Sequence, residues 1–150
     1  MKTAYRVLAY LVAAEVAVQA MVMVWAVAGL SKWVDGGGVF DKAVIEGAAE
    51  SGAMPFPEVL GILVHGINGT FVVPGLALAL LIVKWAVIVL VLVVVQGQLG
   101  FLGHDLPLAG AVHGLNAFAL FGVALYAGRR LRVAAPAAVE HEQTRVATPV

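Results

Sequence analysis

Residues 85–102 read WAVIVLVLVVVQGQLGFL, a run of eighteen residues without a charged side chain. An α-helix of this length is about 27 Å long, close to the hydrocarbon thickness of a bilayer, which is about 30 Å. Similar apolar runs occupy about 5–30, 59–83 and 106–128. The sequence therefore predicts an all-α integral membrane protein with four transmembrane helices.

The amino-acid composition favours the same class of protein. Of the 150 residues, 62% are hydrophobic and only 12% are charged, whereas soluble domains carry about 25% charged residues. The net charge is zero and there is no basic run, which argues against a nucleic-acid partner. The chain contains no cysteine, so disulfides and thiolate metal sites are excluded. Membrane lipid is the expected surrounding.

The distribution of charges predicts the topology. An up-and-down bundle of four helices with both termini in the cytoplasm places seven cations inside and two outside. The inside group is Lys2, Arg6, Lys84, Arg129, Arg130, Arg132 and Arg145, and the outside group is Lys32 and Lys42. We divide the chain into a transmembrane domain, 1–132, and a flexible cytoplasmic tail, 133–150. An alternative for the first span is a cleaved signal sequence, because 26–28 read Ala-Val-Ala.

The connections carry fewer signals. The outer loop 31–58 contains apolar residues at helical spacing over 39–51, which predicts a short amphipathic helix, either an interfacial connector or a lid. Lys84 is the predicted turn between the second and third spans. Pro74 lies inside the second span and removes the hydrogen bond to the Thr70 carbonyl, so we expect a kink just inward of His65.

One short element occurs twice. Residues 64–69 read VHGING and residues 112–117 read VHGLNA, with identity at four of six positions. Gln19 lies in the helix before the first copy and Gln96 in the helix before the second. We interpret the chain as two duplicated helical hairpins. Sites in membrane proteins with internal repeats lie where the repeats meet.

The two histidines of the repeat are predicted to lie at equal depth. His65 and His113 are each seven residues into their helices, about 10 Å below the outer surface. On diagonally placed helices, the two rings can face each other in one layer. Two neutral imidazoles are strong axial ligands of haem iron. We therefore predict one haem b per chain near the outer face, with His65 and His113 as its metal ligands.

Small and polar residues surround this layer. We expect the small ones to leave space for a porphyrin; they are Gly61, Gly66, Gly69, Ala109, Gly110, Gly114 and Ala117. Asn68 and Asn116, three residues after the histidines, are candidates for binding a propionate or supporting the ligands. Gln19 and Gln96 are either donors at the haem edge or interhelical hydrogen-bond partners. Glu15 is the only acid inside a span, and it is a proton relay, a contact to another chain or a carboxyl kept protonated by burial.

At His65-Gly-Ile-Asn68 and His113-Gly-Leu-Asn116 the chain resembles the b-type cytochromes built on a four-helix membrane bundle. Over about 5–130 it also resembles uncharacterised bacterial four-span proteins with the same Gln, His and His-x-x-Asn pattern, closed by an arginine pair. The first resemblance implies haem b and electron transfer, and we expect a quinone or a redox partner subunit as the partner. The second carries no established activity and implies a multi-pass protein of the bacterial inner membrane. Two-haem cytochromes have a second histidine pair, which 70–83 and 117–127 lack.

Two other functions remain open on the sequence alone. Histidine and asparagine layers can fix helix pairing in a haem-free structural or assembly subunit of a membrane complex. A small proton- or ion-linked carrier could instead use Glu15 and the histidine layer. No nucleophile-base set or carboxylate pair indicates hydrolysis, so an electron-transfer or accessory protein is favoured over an enzyme. The sequence leaves oligomerisation open.

Overall fold

The structure is a computed structural model that describes residues 2–80 and 84–130. All regular secondary structure in these residues is helical, as the sequence predicts. The helices are α1 (Lys2–Asp35), α2 (Lys42–Ser51), α3 (Leu60–Ile67), α4 (Val73–Ala79), α5 (Lys84–Leu102) and α6 (Pro107–Arg130). A 3-10 turn, Pro57–Val59, leads into α3, and a π-helical turn, Asn68–Val72, joins α3 to α4. The predicted tail, 133–150, lies outside the described residues.

Three helical stretches within the described residues are long and apolar enough to cross a membrane, namely Thr3–Asp35, Pro57–Ala79 and Pro107–Arg130. A fourth apolar helix, Ala86–Leu102, is shorter. Large apolar side chains such as Phe71, Phe101 and Phe118 are exposed on the helices. A chain with such surfaces is a membrane protein that contacts lipid.

The helix ends differ in part from the predicted spans. α1 continues to Asp35 instead of stopping at residue 30, and it ends where Gly37 adopts a φ of 91°, a conformation that glycine adopts without strain. The second helical stretch ends at Ala79, before the predicted residue 83, and residues 81–83 are outside the described part. α5 begins at Lys84, so the residue predicted to be the turn is instead the first residue of this helix. Pro107 is the first residue of α6.

The helices pack around a core rich in alanine. α1 packs against α6, α3 and α4, while α5 packs against α6 and α4. The core residues come from four of these helices and from the turn after α4, and they are Tyr5, Ala9, Val12, Ala13, Val73, Ala77, Leu80, Ala86, Val89, Val93, Leu120, Ala124 and Ala127. Small side chains let membrane helices approach closely, which increases van der Waals contact. The core therefore lies toward the N-terminal end of α1 and the C-terminal end of α6, the ends that carry Tyr5 and Ala127.

The loop between α1 and α3 contains the predicted short helix. The side chain of Asp41 accepts a hydrogen bond of 2.9 Å from the Val44 amide, which caps α2. The rings of Trp33 and Phe56 lie 5.5 Å apart and tie the end of α1 to the start of the second stretch. α2 itself does not pack extensively on any other described helix. This arrangement favours the interpretation of α2 as a connector over that of a lid.

The irregularity predicted at Pro74 takes the form of a π-helical turn. The Val73 amide donates to the Asn68 carbonyl, five residues earlier, and Pro74 has no amide hydrogen to donate. π-Helical turns inside α-helices are rare and occur frequently at functional sites. This turn begins at Asn68, one of the residues of the repeated element.

Candidate functional site

The structure brings the two repeated histidines together. His65 lies on α3 and His113 on α6, and their ring centroids are 6.1 Å apart with an angle of 61° between the ring planes. Both side chains are partly buried. Neither α3 nor α4 packs extensively on α6, so the rings meet across the space between these helices. We call His65, His113, Gln19, Gln96, Asn68 and Asn116 the histidine layer.

Both imidazoles are held in the same way by their own hairpin. His65 Nδ1 lies 3.4 Å from the main-chain oxygen of Gln19, and His113 Nδ1 lies 2.9 Å from that of Gln96. A carbonyl oxygen only accepts, so Nδ1 must donate in both contacts. In a neutral imidazole the proton on Nδ1 leaves the lone pair on Nε2. The duplication is therefore present in the hydrogen bonds as well as in the sequence.

In the second hairpin, formed by α5 and α6, the polar side chains hydrogen-bond to one another. Gln96 Nε2 donates to His113 Nε2 over 3.1 Å, and Gln96 Oε1 accepts from Asn116 Nδ2 over 2.6 Å. Asn116 Nδ2 also donates to the main-chain oxygen of Leu92 over 3.0 Å. The side chains of Gln96, His113 and Asn116 thus satisfy one another without a ligand.

In the first hairpin, formed by α1, α3 and α4, fewer of the polar groups have hydrogen-bond partners. Gln19 Nε2 donates to the main-chain oxygen of His65 over 3.3 Å. The other amide atom, Gln19 Oε1, is buried and has no hydrogen-bond partner in the structure. Asn68 Nδ2 donates to Glu15 Oε2 over 2.6 Å. No hydrogen bond to Nε2 of His65 is formed among the described residues.

The glycines predicted to leave space have different surroundings. A Cβ on Gly61 would lie 2.3 Å from the Val22 carbonyl oxygen, and one on Gly69 would lie 3.2 Å from Gln19 Nε2, so both glycines serve close packing on α1. Gly110 faces Gly103 in the α5–α6 connection. A Cβ on Gly66 or Gly114 would meet nothing within 4 Å. Both of these glycines are exposed, and Gly66 lies in a groove that neither histidine lines, so the space beside them is at the surface of the bundle.

Gly66 lines a shallow apolar groove on α3 and the π turn. Its other lining residues are Ile62, Leu63, Ile67, Thr70 and Phe71. Neither histidine is among the residues that line this groove. The main cluster of buried core residues ends at Val73 and Val93, and the histidine layer lies at its edge.

Sequence reasoning placed the histidines, asparagines and glutamines in one layer but missed two elements of it. The acceptors for Nδ1 are main-chain atoms of the glutamines, not their side chains. The Leu92 carbonyl, which binds Asn116, belongs to a residue with no polar side chain. Main-chain acceptors have no signature in a sequence. The repeat spacing is the one signal that pointed to these helices as partners.

No three His, Cys, Asp or Glu side chains within 2–80 and 84–130 form a group that could hold a metal ion. Comparisons with protein-family models, with curated proteins and with solved structures give no match. The assignment of function therefore depends on the geometry of the layer.

Proposed function

We propose that this chain is a four-span protein of the bacterial inner membrane that binds one haem b between His65 and His113 and transfers single electrons. The observation that carries the proposal is the separation of 6.1 Å between the ring centroids. His65 and His113 would hold the iron through Nε2, and haem would supply the one-electron chemistry. The proximity of the two imidazoles supports this pair of ligands.

The hydrogen bonds of the imidazoles support the same proposal. A metal-binding histidine almost always donates its other ring N–H to a carbonyl or carboxylate, which fixes the tautomer and makes the ligand more basic. Gln19 and Gln96 supply that carbonyl for His65 and His113. His113 can bind iron once the side chain of Gln96 leaves its Nε2. The residues present fit the group.

Haem, when bound here, supplies a centre that accepts and donates one electron. The chain contributes the two imidazoles, the carbonyls that orient them, and Gly66 and Gly114, which project no side chain. Other residues of the predicted site lie close in sequence or in space to the two ligands, namely Asn68, Asn116, Gln19, Gln96, Gly69 and Gly110. The position of the layer near the outer ends of the helices suits exchange with a quinone or a redox partner subunit on that side.

The four-span bundle is part of this proposal. α5 is 19 residues long, about 28 Å, and packs between α4 and α6 like the longer helices. Lys2, Arg6, Arg129 and Arg130 lie at the ends of α1 and α6 that meet beside the core. Cations are enriched on the cytoplasmic side of membrane proteins, which supports cytoplasmic termini.

The test is the visible spectrum of the detergent-purified protein, oxidised and reduced with dithionite. We expect the sharp bands of a bis-histidine haem in the wild type and their loss in both His65→Ala and His113→Ala. His104→Ala is the matched control, because His104 lies in the exposed α5–α6 connection, and its spectrum should equal that of the wild type. A colourless protein that stays colourless after haem is added would exclude the proposal.

One observation favours a second candidate, a haem-free structural or assembly subunit. The bonds among Gln96, His113 and Asn116 are complete without a ligand, and such bonds hold membrane helices together at about 0.6 kcal/mol each. In that case His113→Leu lowers the unfolding temperature of the protein as purified, and added haem leaves the wild-type unfolding temperature unchanged. A haem protein gains stability from added haem instead.

The third function open on the sequence, a proton- or ion-linked carrier, has less support. A carrier needs polar groups from the site to both surfaces. From the histidine layer to the outer ends of the helices, α1 has only apolar residues over 20–30, α3 over 60–64 and α6 over 108–112. The polar groups that begin at Glu15 therefore stop at the histidine layer on these three helices.

A further inference from the structure

The two hairpins differ at one position next to the histidine layer. Four residues before the glutamine, α1 has Glu15 and α5 has Leu92. Asn68 donates to the side-chain oxygen Oε2 of Glu15, whereas Asn116 donates to the main-chain oxygen of Leu92. Each asparagine thus binds the residue one turn inward of its glutamine. Only the first hairpin places a carboxyl group there.

One helical turn along α1 from Glu15, the side chain of Gln19 has an unpartnered atom. Gln19 Oε1 is buried without a hydrogen-bond partner, and residues at i and i+4, such as Glu15 and Gln19, are neighbours on the surface of a helix. A protonated carboxyl can donate a hydrogen bond to an amide oxygen, whereas an ionised carboxylate can only accept. A proton on Glu15 would therefore provide the donor that Gln19 Oε1 lacks, while Asn68 continues to donate to Oε2.

We propose that Glu15 is a proton-binding site whose occupancy follows the charge of the histidine layer. This inference rests on the proposed haem at His65 and His113. When the layer gains one electron from an external one-electron donor, the Glu15 carboxylate takes one proton from water, forms an O–H bond and donates it to Gln19 Oε1. When the electron leaves, the proton returns to water. Each transfer then leaves the net charge of the site unchanged.

Few other groups on the helices packed against α1 can take this role. Within the described residues the titratable or charged side chains on these helices and on the 3-10 turn are Glu58, His65, His113, Tyr126, Arg129 and Arg130. The two histidines are the proposed metal ligands. Glu58 packs on Gly29 near the outer end of α1, and Tyr126, Arg129 and Arg130 lie at the end of α6 away from the layer. Glu15 is the carboxyl next to the layer.

The first test is the pH dependence of the reduction potential. A unit charge about 10 Å away, at an effective dielectric constant of about 20, changes a protonation equilibrium more than tenfold. The wild-type potential should therefore fall with rising pH by a total of more than about 59 mV, which is the one-electron equivalent of a tenfold change. Glu15→Gln, which carries an amide N–H where the protonated acid has O–H, should have no such slope.

Glu46→Gln is the matched control, because Glu46 is an exposed carboxyl on α2 paired with Lys42. It should keep the wild-type slope. A slope that persists in Glu15→Gln, or one that is absent from the wild type, would overturn the inference.

The second test needs no haem. Infrared spectra of the haem-free protein across a pH series should contain a deuterium-sensitive C=O band from a protonated carboxyl. This band should be missing in Glu15→Gln and shifted in Asn68→Leu, which lacks the hydrogen bond to Oε2. If the protein binds no haem, the proposed function fails and the link to reduction fails with it, while this band still decides whether Glu15 binds a proton. A band unchanged in Glu15→Gln refutes the proton site itself.

Discussion

Replacing Gln96 with leucine separates two roles of this side chain. Gln96 Nε2 donates to His113 Nε2 over 3.1 Å, and the same nitrogen is the proposed iron ligand. In the wild type this hydrogen bond must break before His113 can bind iron, and in Gln96→Leu it is absent. We therefore expect the variant to bind haem more tightly than the wild type.

The size of the effect follows from the energy of one hydrogen bond. Side-chain hydrogen bonds between membrane helices average about 0.6 kcal/mol, and those in soluble proteins reach about 1.5 kcal/mol. The Kd for haem should therefore fall by about threefold to tenfold. Asn116 retains its bond of 3.0 Å to the Leu92 carbonyl, so the second hairpin keeps one of its polar links. The variant is thus expected to fold.

The assay is a titration of haem into haem-free protein in detergent, followed by absorbance. Gln98→Leu is the matched control, since Gln98 is an exposed glutamine on the same helix, and its Kd should equal that of the wild type. If Gln96→Leu binds haem tenfold more weakly while Gln98→Leu is unchanged, Gln96 is a donor to the haem edge. That result would refute the reasoning that it competes with iron.

Two further predictions concern the stability and the shape of the second helical stretch. Gly61→Ala should lower the free energy of unfolding by about 1–3 kcal/mol, because its Cβ would lie 2.3 Å from the Val22 carbonyl oxygen. Gly75→Ala, whose Cβ would meet nothing within 4 Å, should raise the free energy of unfolding by up to about 1 kcal/mol. Thermal unfolding of the two variants, followed by circular dichroism, compares them, and equal effects would contradict the packing at Gly61. Pro74→Ala restores an amide that can donate to the Thr70 carbonyl, so amide hydrogen exchange over 70–75 should slow. Unchanged exchange would mean that the π turn is caused by the bond from Asn68 to Glu15 and not by Pro74.

The sequence predicts that the two histidines lie close together, because the depth of a residue in a transmembrane helix follows from the number of residues between it and the end of the helix. Equal spacing from the outer ends of two apolar segments places both rings at one height. Helices of this length can pack in a membrane in only a few ways, so two histidines at the same depth are expected to lie close together. In the structure their ring centroids are 6.1 Å apart.

Other features depend on packing that no single segment encodes. Sequence reasoning counted Gly61 and Gly69 as space beside His65, but α1 approaches both of them and fills that space. A glycine either leaves an empty space beside its helix or lets a neighbouring helix pack closely against it, and the position of the neighbouring helix determines which of the two occurs. Likewise, a proline in a helix predicts an irregularity, but its form, a π turn in which the Val73 amide donates to the Asn68 carbonyl, depends on the surrounding packing.

The unequal hydrogen bonds of the two hairpins indicate how one duplicated motif acquires two roles. Nε2 of His65 forms no hydrogen bond among the described residues, whereas Nε2 of His113 is bound to Gln96. A metal would therefore bind His65 without breaking a bond and bind His113 only after Gln96 rotates. In the proposed haem site, the second hairpin would then determine how tightly the cofactor is held. The first hairpin, with Glu15 one turn from Gln19, would determine how the charge of that cofactor is balanced.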